Sequence, residues 1–447
     1  MLPQAFKDNM RAILNDDFAD FESSLHNISP VSIRLNSGVK VPVNGLDIPL
    51  ADAVAWCGSG KYLAERPSFT LDPLFHTGSY YVQEAASMFV EQCANTVKQY
   101  AEINYILDLC AAPGGKFTHL LSLFPDSLLV GNEVIRSRAA ILEENISGWG
   151  SPNAIVTSCD PSRFQKLAGF FDFILVDAPC SGEGMFRKDH KAMDEWSVEH
   201  VKHCAARQLR IVQDIWNSLK PGGFLLYGTC TYNIEENENV VKFIIENLGA
   251  ESIPVDISAF AGISPSLNRN IHAYRFFPHK TQSEGLFLSL IRKNGELKPN
   301  AVKKAKQASK IPQLKSWLLP DDRFICLNSN EHISFFQERF AADVELIGKT
   351  VHTLSSGTEI CTIKGKDFIP SPNFALSTEI NVNNFVTWEV DKITALKFLK
   401  KETLTAPPGA EKGYLLLTYK GTPLGWVKNI GSRCNNLLPP NRRILTF

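Results

Sequence analysis

The sequence predicts an α/β protein whose central region, about residues 76–293, folds as a mostly parallel, doubly wound sheet. Short apolar runs alternate there with longer helical patterns, and the runs cover residues 105–109, 128–131, 173–176 and 224–227. Alternating strands and helices are typical of parallel sheets with helices on both faces. Ligands of such sheets bind beyond the carboxyl ends of the strands, so functional residues are expected directly after each run.

The composition indicates a globular protein of several domains. The chain has 447 residues, 44% of them hydrophobic, and a formal net charge of -1, so any surface for a polyanion must be local. The 10 cysteines form no CxxC pair, which predicts reduced thiols and no metal site. The N-terminal segment lacks a signal-peptide pattern, and no stretch reaches about 18 uninterrupted apolar residues. We therefore expect a cytoplasmic protein without a membrane partner.

An N-terminal α+β lobe is predicted over residues 1–75. Its first part, residues 3–25, has apolar residues at the three- and four-residue spacings of an amphipathic helix. These residues are Phe6, Met10, Ile13, Leu14, Phe18 and Phe21. Residues 31–70 contain many Pro and Gly and indicate short strands and turns.

Three further regions follow the central one. Residues 294–315 form a basic linker, because eight Lys or Arg lie between Arg292 and Lys315 against one acid, Glu296. This linker is interpreted as a solvated connector or as a segment that contacts phosphates. Residues 316–380 form an intermediate region of mixed short elements, and residues 381–447 a compact β-rich tail. The last stretch of the tail, from Lys428 to Phe447, contains no acid.

A glycine turn follows the first apolar run and precedes a helical pattern that begins at Phe117. Its core is Gly114-Gly115, within the segment from Asp108 to Lys116. Small residues let the backbone approach a ligand at a helix N-terminus, where free N–H groups favour a carboxylate or phosphate. Structural turns also use glycine, so the prediction depends on the residues at the ends of the other strands.

Two acids follow the next two predicted strands. Glu133 ends the second strand, at the position where nucleoside-binding sheets hold a ribose diol. Asp160 follows the third, where it can accept a hydrogen bond from an adenine amino group or from neighbouring backbone. Each acid alone is more often a helix cap, but both at consecutive strand ends favour a nucleoside site.

Two cysteines follow the fourth and fifth predicted strands. Cys180 comes shortly after Asp177, and Cys230 follows the run that ends at Tyr227. A single cysteine after a strand is usually an inert, half-buried residue. Two thiols converging on one crevice beside a carboxyl group favour a catalytic pair.

Three motifs together resemble the NOL1/NOP2/Sun family of RNA cytosine-carbon-5 methyltransferases. They are Asp-Ala-Pro-Cys-Ser-Gly-Glu-Gly at 177–184, Thr-Cys-Thr-Tyr at 229–232 and Cys-Ala-Ala-Pro-Gly-Gly-Lys at 110–116. The resemblance implies a Rossmann-like methyltransferase fold with S-adenosylmethionine as cofactor. The implied cofactor-binding residues are Cys110, Ala111, Ala112, Pro113, Gly114, Gly115, Lys116, Glu133, Arg138, Asp160 and Asp177. The implied catalytic residues are Cys230 as nucleophile, Cys180 for product release and Asp177.

This assignment agrees with the chemistry of the reaction. Carbon-5 of cytosine is too electron-poor to attack a sulfonium methyl group unaided. Addition of a thiolate to carbon-6 makes carbon-5 enamine-like, which is covalent nucleophilic catalysis. A carboxyl group at ring nitrogen N3 would stabilise the charge that develops during the attack, and Asp177 is the candidate.

Further matches extend the resemblance over about residues 1–293, and they lie at 32–36, 76–78, 83–87, 275–279 and 284–287. The layout of the whole chain resembles bacterial family members that modify 16S ribosomal RNA. We therefore expect structured RNA as partner, 16S rRNA in the small ribosomal subunit, and a PUA-like RNA-binding tail. A transfer RNA substrate, an amino-group methyltransferase and a non-catalytic RNA-binding assembly factor are alternatives. Aromatic residues near the site, Tyr232, Phe186 and Trp196, are interpreted as packing residues or as stacking partners of the extruded base.

Overall fold

The computed structural model describes residues 2–38, 45–298, 311–320, 323–329 and 331–445. Its helices are α1 (Gln4–Leu14), α2 (Phe18–Ser24), α3 (Pro73–His76), α4 (Val90–Tyr100), α5 (Gly115–Leu123), α6 (Arg136–Trp149), α7 (His190–Glu195), α8 (Val198–Trp216), α9 (Glu238–Leu248), α10 (Ala341–Thr350) and α11 (Lys392–Leu399). Most of the predicted basic linker, residues 299–310, lies outside the described residues.

The strands group into four sheets. In chain order they are β1 (Val31–Leu35), β2 (Leu50–Ala53), β3 (Gly60–Leu63), β4 (Tyr80–Val82), β5 (Tyr105–Asp108), β6 (Leu128–Asn132), β7 (Ala154–Thr157), β8 (Phe171–Asp177), β9 (Leu219–Thr229), β10 (Ala250–Ile253), β11 (Ser264–Pro265), β12 (Tyr274–Phe276), β13 (Leu286–Lys293), β14 (Phe324–Ser329), β15 (His332–Gln337), β16 (Thr353–Ser356), β17 (Thr358–Lys364), β18 (Asp367–Pro370), β19 (Thr387–Glu389), β20 (Leu404–Thr405), β21 (Gly413–Tyr419), β22 (Thr422–Asn429) and β23 (Arg433–Asn436).

The N-terminal helical segment is two helices rather than the single one predicted from its periodicity. A 3-10 turn, Asn15–Asp17, separates α1 from α2, and Asn15 has a positive φ of 48°. Three consecutive polar residues, two of them acidic, interrupt the helix without changing which side chains face inward. Phe6 and Phe21 are buried, and they pack on Phe186 and Tyr232 respectively. The helical pair therefore covers a loop of the central domain.

The first sheet belongs to the N-terminal lobe and has the order β2-β3-β1-β4. Its neighbours are antiparallel, with Val31 opposite Leu63 and Ile33 opposite Val82. Strand β4 also belongs to this sheet, although it lies beyond residue 75, the predicted end of the lobe. An α+β lobe, as predicted, precedes the central domain.

The central sheet confirms the predicted doubly wound topology. Its parallel part has the order β9-β8-β5-β6-β7, with β8 and β5 adjacent at the centre. Side chains of both strands are completely buried, for example Ile106 on β5 and Ile174 on β8. Helices cover both faces, as expected for near-continuous hydrophobic strands. The carboxyl ends of β8 and β9 lie side by side, with Asp177 opposite Gly228.

Later parts of the chain extend this sheet and enclose it. The antiparallel strands β13, β12 and β11 continue it beyond β9, and β16 pairs with β7 at the other edge. Helix α10 packs Val344 and Ile347 into the same core as β8 and β9. The tail forms a sheet of order β19-β21-β22-β23-β20, whose core includes Phe398 and Leu417 and continues into Ile33 of the N-terminal lobe. Among the described residues no helix is long and apolar enough to span a bilayer.

Candidate active site

The two predicted thiols meet at the carboxyl edge of the central sheet. Cys180 follows β8 and Cys230 follows β9, and their Sγ atoms lie 3.3 Å apart. Contact with Cys230 and burial raise the pKa of the Cys180 thiol well above its ordinary value. Parallel pairing of β8 with β9 brings the two loops together, because both strands end at the same level.

A buried carboxylate, Glu183, links the two loops that carry Cys180 and Cys230, here called the thiol loops. Its side chain accepts five hydrogen bonds, from Thr231 Oγ1 (2.6 Å), the backbone N–H groups of Tyr232 (2.8 Å) and Asn233 (3.0 Å), Trp196 Nε1 (3.0 Å) and Asn233 Nδ2 (3.2 Å). All of these donors except Trp196 follow Cys230 directly in the chain. Glu183 therefore holds the Cys230 loop against the loop that carries Cys180.

A second buried carboxylate, Glu236, reinforces the same link. It accepts hydrogen bonds from the Ser181 N–H at 2.9 Å, from Gln208 Nε2 at 2.7 Å and from Asn233 Nδ2 at 2.7 Å. Gln208 also donates to the Pro179 carbonyl at 3.1 Å. Burial raises the pKa of Glu236, although these hydrogen bonds oppose the shift. The residues that flank Cys180 are thus fixed to the segment that follows Cys230.

The glycine turn, here called the donor loop (residues 110–116), joins β5 to α5. Gly114 has φ = 117°, and a Cβ there would lie 3.3 Å from the Leu142 side chain, so the turn requires glycine. The Asn145 amide donates to the Pro113 carbonyl at 2.7 Å. Burial raises the pKa of the Cys110 thiol, which keeps that cysteine neutral. Since Asn145 belongs to helix α6, its hydrogen bond ties the donor loop to that helix.

An ion pair connects the donor loop to the thiol side of the site. Lys116 Nζ lies 2.8 Å from Asp177 Oδ2 at the end of β8. Burial opposes the charge of Lys116, but attraction to Asp177 outweighs it and raises the lysine pKa. The pair thus links the last residue of the donor loop to the end of the strand that leads to Cys180.

Asp108, the last residue of β5, is a buried acid whose charge is only weakly compensated, by the Lys116 ammonium and the backbone at Cys110. It is 1% exposed, and neither carboxylate oxygen has a hydrogen-bond partner of good geometry among the described residues. Burial and then the charge of Asp177 raise its pKa to about 8. An unsatisfied buried carboxyl group beside a glycine turn is typical of a site that a cationic ligand completes.

Glu133 lies at the same edge, directly after β6. It is 5% exposed; its Oε1 accepts the Ile135 N–H at 3.0 Å, and its Oε2 lies 3.2 Å from an Arg138 guanidinium nitrogen. Arg138 also donates to the Ala112 carbonyl at 2.9 Å. The arginine thus connects the candidate ribose carboxylate with the donor loop.

Asp160 is placed differently from the other predicted site residues. It is exposed and caps the 3-10 helix Pro161–Lys166, accepting hydrogen bonds from the backbone N–H (3.0 Å) and hydroxyl (2.7 Å) of Ser162. These bonds lower the pKa of Asp160. Of the two contacts that the sequence allowed for this acid, the one with neighbouring backbone is therefore present.

The aromatic residues considered as stacking partners are buried in packing contacts. Phe186 and Trp196 both pack on Phe6, and Tyr232 is stacked on Phe277 with ring centroids 5.6 Å apart. In the loop that follows Cys180, Arg187 forms a buried ion pair with Glu284 at 2.8 Å. These side chains pack around the thiol loops and are not exposed to solvent.

Sequence reasoning missed three buried acids of this site, Asp108, Glu183 and Glu236. Asp108 begins the glycine-turn segment and Glu183 lies within the motif at 177–184, so their positions were a usable signal. Glu236 follows Cys230 by six residues and carried no motif signal. Its role depends on contacts with Ser181 and Gln208, which are distant in sequence.

Comparison with known proteins matches most of the chain. Residues 96–292 match the family described as 16S rRNA methyltransferase RsmB/F. Residues 2–85 match the N-terminal domain of 16S rRNA methyltransferase RsmF, and residues 385–444 match the methyltransferase RsmF PUA domain. The predicted methyltransferase core and PUA-like tail are confirmed by these matches.

Solved structures share the fold of about two thirds of the chain. A methyltransferase homologue from Pyrococcus horikoshii is 28% identical, with a TM-score of 0.55, and covers 65% of this chain and 95% of its own. NSun6 from Pyrococcus horikoshii is 21% identical, with a TM-score of 0.56, and covers 66% and 99% respectively. At this identity the second likeness shows the fold alone.

Two curated relatives match along most of their length. The ribosomal RNA small subunit methyltransferase F of Aeromonas salmonicida (strain A449) is 29% identical over 98% of this chain and 96% of the relative. Its counterpart in Aliivibrio fischeri (strain MJ11) is 32% identical over 87% of this chain and 85% of the relative. The family resemblance predicted from the motifs is confirmed, and the chain belongs to the family of ribosomal RNA small subunit methyltransferase F.

Proposed function

We propose that this protein transfers a methyl group from S-adenosylmethionine to carbon-5 of a cytosine in 16S rRNA, through a covalent adduct between Cys230 and carbon-6. One observation carries the proposal. Two thiols lie 3.3 Å apart at the carboxyl ends of adjacent parallel strands. The Lys116–Asp177 pair and the donor loop lie at the same edge. An amino-group methyltransferase has no use for two thiols there.

Cys230 is the nucleophile in this proposal. Its sulfur forms a bond to carbon-6 while the carbon-5–carbon-6 double bond supplies electrons to the ring, and carbon-5 becomes nucleophilic. The loop that follows Cys230 is held by Glu183, so the sulfur has a defined position before the pyrimidine arrives. Preorganisation of this kind lowers the barrier because the loop need not reorganise during attack.

Asp177 acts at ring nitrogen N3. Negative charge develops on this nitrogen as the thiolate adds, so N3 becomes basic and takes up a proton or a hydrogen bond. The protonated Asp177 carboxyl group donates this proton, and the Lys116 ammonium, 2.8 Å away, stabilises the carboxylate that is left. A charge-assisted pair at this place stabilises the transition state more than the ground state.

Cys180 assists release of the product. After methyl transfer, a base removes the carbon-5 proton, the double bond re-forms and the Cys230 sulfur leaves carbon-6. Cys180 is held protonated mainly by its contact with Cys230, together with burial, since both raise its pKa. Once Cys230 is a thioether it carries no charge, so charge repulsion from this sulfur no longer contributes to the raised Cys180 pKa. Cys180 can then release its proton to solvent, and the resulting thiolate takes the carbon-5 proton.

The residues at the donor loop fit S-adenosylmethionine. When bound, this cofactor supplies an electrophilic methyl group on its sulfonium sulfur. Asp108 has no partner for its carboxyl group among the described residues and would pair with the amino group of the methionine moiety. Glu133 would accept the ribose hydroxyls, and the exposed apolar side chains of Val134 and Ile135 lie next to it for the adenine. Arg138, which pairs with Glu133, and Asp160 are the further residues proposed to bind the cofactor.

Substrate identity is inferred from family membership. The relatives are named as methyltransferases of small-subunit ribosomal RNA, and residues 385–444 match a PUA domain. A transfer RNA substrate and a non-catalytic assembly role are competing hypotheses that a labelling experiment distinguishes.

The test incubates the full chain with radiolabelled S-adenosylmethionine and either 16S rRNA or transfer RNA lacking the modification. Digestion then identifies the labelled nucleoside. We expect 5-methylcytidine from 16S rRNA, no label with Cys230→Ala, and a covalent protein–RNA adduct that accumulates with Cys180→Ala. The matched control is Cys204→Ser, a cysteine on α8 outside the site, which retains activity.

Other outcomes separate the alternatives. Label only in transfer RNA would overturn the substrate, and labelled N-methyl nucleosides would overturn the reaction. Full activity without Cys230 would exclude the covalent mechanism. Absence of label in all RNAs, with RNA binding retained, would support the assembly role.

A further inference from the structure

We propose that Cys57, Glu91 and His119 form a binding site for a borderline divalent cation such as Zn²⁺, separate from the thiol pair. The three residues come from the turn before β3, from α4 and from α5. Their ligand atoms all lie within 4.8 Å of one another. The site is independent of the proposed methyl transfer, since none of the three residues belongs to the donor loop or the thiol loops.

The spacing of the ligand atoms matches a tetrahedral metal. Cys57 Sγ lies 3.1 Å from Glu91 Oε2, His119 Nε2 lies 3.1 Å from the same oxygen, and Cys57 Sγ lies 3.8 Å from His119 Nε2. Zinc with ordinary bond lengths places oxygen and nitrogen ligands about 3.3 Å apart, and sulfur about 3.5 Å from either. The three donor atoms therefore already occupy one face of a tetrahedron.

Hydrogen bonds to Glu91 Oε2 account for two sides of this triangle, but not for the third. If the thiol and the imidazole both donate to Glu91 Oε2, then Cys57 and His119 face each other without a proton between them. A cation at the centre would instead take a lone pair from each of the three atoms. In the metal-free protein the contact with Glu91 Oε2 places the His119 ring proton on Nε2, and a bound cation would move that proton to Nδ1, which has no hydrogen-bond partner among the described residues.

The surroundings of the three ligands favour a built site over a surface cluster. Cys57 is 2% and His119 1% exposed, whereas the Glu91 side chain is 17% exposed and leaves an approach from solvent. The second oxygen of Glu91 accepts the Gly58 N–H at 3.0 Å, which orients the carboxylate as an outer contact does in metal sites. Ser59 Oγ, 3.6 Å from Cys57 Sγ, or a water can take the fourth position.

The charges also balance. A thiolate, a carboxylate and a neutral imidazole carry a total charge of minus two, which one divalent cation neutralises. Binding forms the metal–sulfur bond and releases the thiol proton to solvent. Since Cys57 belongs to the N-terminal lobe and His119 to the helix that begins at the donor loop, a bound ion would cross-link the two lobes behind that loop.

The test uses Co²⁺ as a spectroscopic probe of the full chain, in a Cys180→Ser/Cys230→Ser background that removes the other thiol pair. After dialysis against a chelator, Co²⁺ titration should give a thiolate-to-cobalt charge-transfer band and visible d–d bands of a tetrahedral ion at one equivalent. Zn²⁺ should displace the cobalt and raise the melting temperature. Cys57→Ser should abolish the charge-transfer band, and His119→Gln should weaken binding by about 100-fold or more.

Cys204→Ser is the matched control, because Cys204 Sγ lies 3.6 Å from His200 Nε2 without a carboxylate at the same point. It should leave the bands unchanged. No charge-transfer band in the parent protein, or an equal band in Cys57→Ser, would overturn the proposal. If Cys57→Ser does not fold, Glu91→Gln decides: weaker cobalt binding supports the site, and unchanged affinity overturns it.

Discussion

The two sides of the candidate active site differ in how completely their polar groups are paired. On the thiol side, Glu183 accepts five hydrogen bonds and Glu236 accepts three, all within the protein. On the donor side, Asp108 has no good hydrogen-bond partner among the described residues, and Arg138 is half exposed. The thiol side is therefore preorganised by the chain itself, whereas the donor side is left for a ligand to complete.

The two sides differ because the two chemical steps need different kinds of precision. Attack on a pyrimidine carbon requires the sulfur to be placed within a few tenths of an ångström, and a saturated buried network supplies that rigidity. A cofactor that binds and leaves in each cycle needs unpaired groups that it can satisfy in turn. Substitutions on the thiol side should therefore change kcat, and those on the donor side should change cofactor affinity.

The largest effect is expected for Glu183→Gln. The amide replaces one acceptor oxygen by a donor that faces other donors, which costs about 2–3 kcal/mol in a buried network. We expect kcat to fall about 100-fold with the KM for S-adenosylmethionine unchanged. Steady-state kinetics with 16S rRNA measures both values. Glu235→Gln, an exposed neighbour of the same network, is the control; a raised KM with normal kcat in Glu183→Gln would contradict the comparison.

Asp108→Asn should weaken S-adenosylmethionine binding about 30-fold, because the amide cannot neutralise an ammonium group. Calorimetric titration measures this loss, and exposed Asp52→Asn serves as the control. In contrast to cofactor affinity, the folding stability of the cofactor-free protein should increase with this substitution. Because the pKa of Asp108 is raised to about 8, its neutral form contributes fully to folding stability below about pH 4. This contribution is lost as the pH rises through 8.

The asparagine has no such pH dependence. The melting temperature of Asp108→Asn relative to the wild type should therefore rise between pH 4 and pH 8, by about 2–4 °C for each kcal/mol regained. Thermal scans across that range, without cofactor, give the difference. A flat difference would show that Asp108 is not held neutral by burial.

Glu133→Gln should raise the KM for S-adenosylmethionine about tenfold and leave kcat within about twofold, since the carboxylate is proposed to hold the ribose in ground and transition states alike. Glu251→Gln on β10, an exposed acid outside the site, is the control. A fall in kcat without a change in KM would assign Glu133 to the thiol side.

The smallest effect is expected for Arg138→Ala. Its guanidinium is 50% exposed, so solvent screens the pair with Glu133, and only the hydrogen bond to the Ala112 carbonyl adds to it. We expect about threefold weaker cofactor binding, and less at high salt. Arg136→Ala, two residues earlier and exposed, should have no effect. A loss above about 30-fold would mean that Arg138 contacts the cofactor directly.

Much of the fold could be predicted because it depends on local patterns. The parallel strands β5, β8 and β9 coincide with apolar runs that each stand out within a few residues. The division of the N-terminal helix could not be predicted from apolar periodicity. That periodicity continues through Asn15–Asp17 although the backbone does not. The pairing of β16 with β7 joins segments about 200 residues apart and leaves no local signal.

For the candidate site, the order of residues along the chain is enough to predict which groups follow the parallel strands: the donor loop, Glu133, Asp177 and the two cysteines. Motif chemistry and strand order suffice for this, because all parallel strands end at one edge. Three features become visible only in the folded chain: the contact between the thiols, the hydrogen bonds of Glu183 and Glu236 that hold their loops, and the convergence of Cys57, Glu91 and His119. Those contacts join residues that are 28 to 62 positions apart in the sequence, so they depend on packing rather than on any local pattern.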